Sequence, residues 1–131
     1  MNPVVHFEIP VKDAKRAQDF YANSFGWTFS NYPLPDGKNY ISAMTCEYDE
    51  KTHMPLKPGQ ISGGFTENDP AGMPVLVLSV ENVEAALKKA EDNGAEVVMP
   101  VTKIGDFGLY GRVKDTEGNI IGLWQDVKKP E

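Results

Sequence analysis

At 131 residues and 14.5 kDa the chain has the size of one domain. It is long enough to bury about two-thirds of its unfolded surface without staples. A hydrophobic fraction of 40% and a charged fraction of 24% exclude disorder. The net charge of −6 argues against nucleic acid, which needs a basic face. That acidity either suits a cationic ligand or serves only solubility.

The single cysteine, Cys46, allows no intrachain disulfide and suits a reducing compartment. Met1-Asn2-Pro3 runs into a short mixed segment without the apolar stretch of a secretion signal. No apolar run approaches the roughly 20 residues that span a bilayer. The expected location is the cytoplasm, with no membrane partner.

Along the chain, Val4 to Val11 is rich in strand formers, and Pro10 suggests a strand end or an edge. Asp13 is placed to cap a helix over Ala14 to Ser24, whose Ala17, Phe20 and Tyr21 form one apolar stripe, and Gly26 is its stop. Trp27 to Ser30 reads as a short strand, Pro33 to Gly37 as a turn and Tyr40 to Tyr48 as a strand. The polar stretch 49–59 reads as an exposed loop carrying His53, and Ile61 to Thr66 as a glycine-bearing strand.

After a second linker at 68–72 the pattern returns. Val75 to Val80 is a strand, Asn82 a cap, and Val83, Ala86, Leu87 and Ala90 a helical stripe that Gly94 ends. Strands follow at Glu96 to Met99 and Phe107 to Lys114. The turn Asp115-Thr116-Glu117-Gly118-Asn119 then leads into a last strand, Ile120 to Gln125. Val11 to Ala17 aligns with Val80 to Ala86 at an offset of 69 residues, so the chain reads as a duplication.

Three stretches carry a family resemblance: His6 through Tyr21, Val77 through Val83, and the closing hairpin Asp115 through Trp124. In order and spacing they resemble the glyoxalase/bleomycin-resistance/dioxygenase, or vicinal oxygen chelate, superfamily. The resemblance implies an α+β fold. Two βαβββ modules (about 1–68 and 73–127) form one domain over 1–131, pseudo-twofold, with mixed sheets curled around a cavity. It also implies frequent homodimers. Metal-using members take one ligand from each of the first, fourth, fifth and eighth strands, typically His, Glu or His, His, and Glu.

Set against that pattern, His6 stands at the first position, while Val75 and Gly122 stand at the third and fourth. The second falls within Ser62-Gly63-Gly64-Phe65, which holds no strong donor. One ligand of four is too few for a catalytic ion. The expectation is therefore no cofactor, with a divalent metal disfavoured.

His6 and Glu8 share a strand face. They form either an acid–base pair, part of a rearranged metal site, or a hydrogen-bonded histidine beside a partly solvated rim carboxylate. Cys46 reads as a small buried hydrophobe. Tyr40, Phe65, Phe107, Tyr110, Gly122 and Trp124 are expected to line a ligand pocket, the glycine leaving room and the rings supplying walls; core packing is the alternative for each ring. The function expected is small-molecule binding, with a small organic ligand and a homodimeric partner. A lyase or isomerase of the glyoxalase I type, working through His6 and Glu8, is the alternative.

Overall fold

The computed structural model describes residues 1–33 and 39–127, so the turn expected at 33–37 lies almost entirely outside the described residues. The elements run β1 (Val4–Val11), α1 (Ala14–Phe25), β2 (Thr28–Pro33), β3 (Asn39–Met44), β4 (Ser62–Glu67), β5 (Val75–Ser79), α2 (Val83–Asp92), β6 (Glu96–Ile104), β7 (Gly108–Lys114) and β8 (Ile120–Asp126). The fold is α+β and consists of two βαβββ modules. One compact unit is His6–Pro74. The other is Val75 onward together with Met1–Val5, whose Pro3 carbonyl accepts a hydrogen bond from the Ser79 amide at 2.9 Å.

Local chemistry starts both helices in the same way. Asp13 Oδ1 accepts from the Arg16 amide at 3.0 Å, and Asn82 Oδ1 from the Ala85 amide at 2.8 Å, so each cap satisfies an otherwise orphaned N–H. Gly26 closes α1 in the left-handed conformation at φ 75°. The second helix stops one residue before its glycine: Asn93 is the cap, its side-chain amide donating to the Lys89 carbonyl. In the closing turn Asp115 Oδ1 accepts from the amides of Glu117 and Asn119, both at 2.8 Å.

In the first module the strand order is β2-β3-β4-β1, with β1 parallel to β4 and the others antiparallel. Its core lies on the helix side, where Val11, Ile41, Ala43 and Phe65 pack with Ala17, Tyr21, Trp27 and Phe29. The second module repeats the order as β5-β8-β7-β6, with β5 parallel to β8. Val80, Val83, Leu87, Val113 and Leu123 form its core against α2. Gly111 lets that helix approach closely, since a Cβ there would stand 3.0 Å from Leu87 and 3.1 Å from Val83.

Several boundaries differ from the sequence reading. The third strand ends at Met44, because Thr45 turns away to hydrogen-bond Ser62 and the Ile61 carbonyl. The sixth runs on to Ile104 through Pro100, with register shifts on either side of Met99. The caps Asp13 and Asn82 keep the offset of 69, as do Glu8 and Val77 on the first strands, while the glycines they face stand 58 apart. Glu8 pairs with Gly64, and Val77 with Gly122, as residues facing the fourth strand of each module. Among the described residues no helix is long and apolar enough to cross a membrane.

Candidate functional site

Each module turns one sheet face to its helix and the other away, and the second face carries buried polar side chains such as Glu8 and Arg112. Strand alternation decides which residue goes where. In the first module Phe7, Ile9 and Val11 point to the helix side, so His6 and Glu8 point the other way. Parallel pairing with β4 puts Ser62 and Gly64 beside them, and β3 adds Tyr40 and Ser42.

His6 Nε2 and the Tyr40 hydroxyl are hydrogen-bonded at 3.1 Å. Burial lowers the His6 pKa from its ordinary value to about 4, which keeps the ring neutral near pH 7. Burial, and then the nearby Glu8 carboxylate, push the Tyr40 phenol well above its usual value. Both members of the pair are thus uncharged near neutrality. Glu8 is only 7% exposed, so it is a buried carboxylate on this face, which removes the alternative of a partly solvated rim residue.

In the second module Val77 and Ser79 of β5, Gly122 and Trp124 of β8, and Gly108, Tyr110 and Arg112 of β7 share the face away from the helix. Arg112 Nε donates to the Tyr110 hydroxyl at 2.8 Å, and its guanidinium carbon lies 5.6 Å from the Tyr110 ring centre. Tyr110 and Trp124 have centroids 6.5 Å apart, and the indole N–H donates to Asp126 at 2.7 Å. Arg112, 5% exposed, was missed in the sequence. The signal was present: an arginine two residues from Tyr110 in a strand of small and apolar residues shares its face.

The remaining expected residues divide. Tyr40, Tyr110, Gly122 and Trp124 lie on the sheet faces turned away from the helices. Phe65 does not: it is fully buried on the helix side of the first module, 5.4 Å from the Tyr21 ring and 5.0 Å from Phe29. It is one residue from Gly64, and a period of two turns it to the opposite face. Phe107 is not on a strand at all. It sits in the turn before β7, 60% exposed, and Gly108 opens the strand. Cys46 lies beyond the end of β3, half-buried, with its sulfur 3.9 Å from the Ser62 hydroxyl.

The donor set does not fit the four-ligand metal site that the resemblance implies. His6 Nε2 is engaged by Tyr40, Val75 is an apolar side chain with no exposure, and Gly64 and Gly122 carry no side chain. Among the described residues no three His, Cys, Asp or Glu side chains cluster as an ion would need. Two open grooves, about 380 and 770 Å³, lie on the helix sides of the modules, away from His6 and Trp124.

Two capped βαβββ modules, each closing its core against one helix, define a duplicated α+β fold. The chain belongs to the Glyoxalase/Bleomycin resistance protein/Dioxygenase superfamily, whose profile matches residues 4–123. It is 30% identical over 122 residues to "Putative glyoxylase CFP32" of Mycobacterium tuberculosis, covering 90% of this chain and 43% of that protein. It is 26% identical to the anthracycline biosynthesis protein DnrV of Streptomyces peucetius, covering 91% of this chain and 45% of the relative. The chain therefore spans less than half the length of these relatives. Among solved structures, the hypothetical protein BH1468 of Bacillus halodurans matches with a TM-score of 0.69 at 14% identity, over 99% of this chain and 98% of that one. Methylmalonyl-CoA epimerase of Mycobacterium tuberculosis matches with a TM-score of 0.65 at 16% identity, over 95% and 88%. At such identities the likeness is one of fold.

Proposed function

We propose that the chain is a small-molecule-binding member of its superfamily that works without a metal ion. The observation that carries this reading is the set of side chains on the second module's face away from its helix. Buried Tyr110 and Arg112 and half-buried Trp124 stand around two glycines, where rings and one fixed cation replace ion ligands. Rings with a few fixed polar groups suit an organic ligand that is flat on at least one side. A relative named for anthracycline biosynthesis supports a planar aromatic ligand.

Metal analysis and thermal denaturation test this together. Purified protein offered zinc, nickel, manganese and iron is expected to retain no stoichiometric ion. A planar aromatic such as ethidium or acridine orange, at a hundred times its dissociation constant, should stabilise the fold by about 2.7 kcal/mol. One tightly held ion per chain, lost in His6→Ala, would sink the reading.

A second reading has its own observation. The His6–Tyr40 pair beside Glu8 offers a neutral imidazole near a carboxylate, the components of an acid–base site for a lyase or isomerase of the glyoxalase I type. The low pKa of His6 weakens it as a base near pH 7, because a general base works best when its pKa lies near the operating pH. No hemithioacetal isomerisation is expected. Turnover that disappears in His6→Ala would favour this second reading over the first.

A further inference from the structure

The two modules repeat more than their strands and caps. In the first, Ser42 of β3 pairs with Gly64 of β4. Tyr40, two residues along, leans across that glycine so that a Cβ on Gly64 would stand 2.9 Å from the phenol oxygen. In the second, Arg112 of β7 pairs with Gly122 of β8. Tyr110, again two residues along, leans across so that a Cβ on Gly122 would stand 2.5 Å from its phenol oxygen.

Each phenol is held in place by a different neighbour: Tyr40 is hydrogen-bonded to His6 Nε2, and Tyr110 accepts from Arg112 Nε. Contacts under 3.0 Å are closer than a real Cβ tolerates. A side chain at either glycine must push the ring above it aside. Gly122 stands where the superfamily's eighth-strand ligand would stand, and the matching registers make Gly64 its counterpart on the fourth strand.

We infer that in both modules a tyrosine hydroxyl seated on a glycine has taken the place of a metal-binding carboxylate, so that the faces away from the helices meet ligand atoms through phenols and not through an ion. The inference rests on the metal-free reading above. It adds that glycine and tyrosine are one steric unit: a longer residue at 64 or 122 and a ring lying at 40 or 110 exclude each other. The ligand class that follows is one with hydrogen-bonding oxygen or nitrogen atoms and no need of a chelating pair.

A double-mutant cycle tests the unit, because residues in contact are non-additive. Gly122→Ala in the wild-type chain should lower the Tm by about 3–6 °C, as overpacking does. In a Tyr110→Ala background the same substitution should change it by no more than about 1 °C. Equal losses in both backgrounds would overturn the inference. The first module gives a second readout, since His6 is already present there. Gly64→Glu combined with Tyr40→Ala should take up cobalt(II), followed by its visible absorption, about tenfold or more tightly than wild type. Gly64→Glu with Tyr40 in place should not. Equal cobalt uptake by both variants, or no gain in the combined variant once circular dichroism shows it folded, overturns the replacement. Stoichiometric metal in the wild-type chain is a different outcome, and it removes the underlying metal-free reading instead.

Discussion

The half-buried histidine makes a prediction whose size follows from its pKa. Burial lowers His6 from 6.5 to about 4, so the unfolded chain holds this proton more tightly than the folded one. Stability contributed by the neutral ring is complete above pH 6.5 and is lost as the pH falls from there toward 4. Linkage between those two values removes about 2 kcal/mol at pH 5 and about 3 kcal/mol at pH 4. With an unfolding entropy near 2.1 cal/mol/K per residue over 131 residues, about 2 kcal/mol corresponds to a Tm lower by about 7 °C. The assay is thermal denaturation by circular dichroism at pH 7 and pH 5, for wild type and His6→Gln. Glutamine keeps a hydrogen-bonding amide toward Tyr40 but does not titrate. The wild-type Tm should fall between these pH values by about 7 °C more than that of the variant. Asp49 and Asp115, held below the usual carboxylate range by backbone amides, lose their protective charge only at lower pH and do not enter this window. Equal pH shifts in the two proteins would refute the assignment of a half-buried neutral imidazole.

Urea denaturation should separate the two phenylalanines expected to line a pocket: Phe65→Ala costs about 3–5 kcal/mol, and Phe107→Ala stays within about 0.5 kcal/mol of wild type. Tyr110→Phe removes the acceptor of the Arg112 Nε bond between two buried residues and should cost about 1–3 kcal/mol in the same experiment. Asp13→Ala and Asn82→Ala each delete a helix cap and should each cost about 1 kcal/mol, with equal effects reflecting their equivalent positions.

What the sequence determined by itself is what depends on near neighbours. Caps, helix stripes, the αL glycine after α1 and the Asp115 turn need only a few consecutive residues. The 69-residue repeat needs only that these signals recur, and the caps Asp13 and Asn82 keep that spacing. Period-two alternation likewise set His6 with Glu8, and Gly122 with Trp124. Tertiary structure decided which face each strand turned to the helix, and a one-residue difference moved Phe65 from an expected pocket wall into the core. It decided that Glu8 and Arg112 are buried, because burial belongs to the packed chain and not to a strand. Most of all, it decided what Gly64 and Gly122 mean. In the sequence they are missing ligands; in the fold they are the seats of two tyrosines that stand 70 residues apart and lean the same way, because the register of β3 on β4 is the register of β7 on β8.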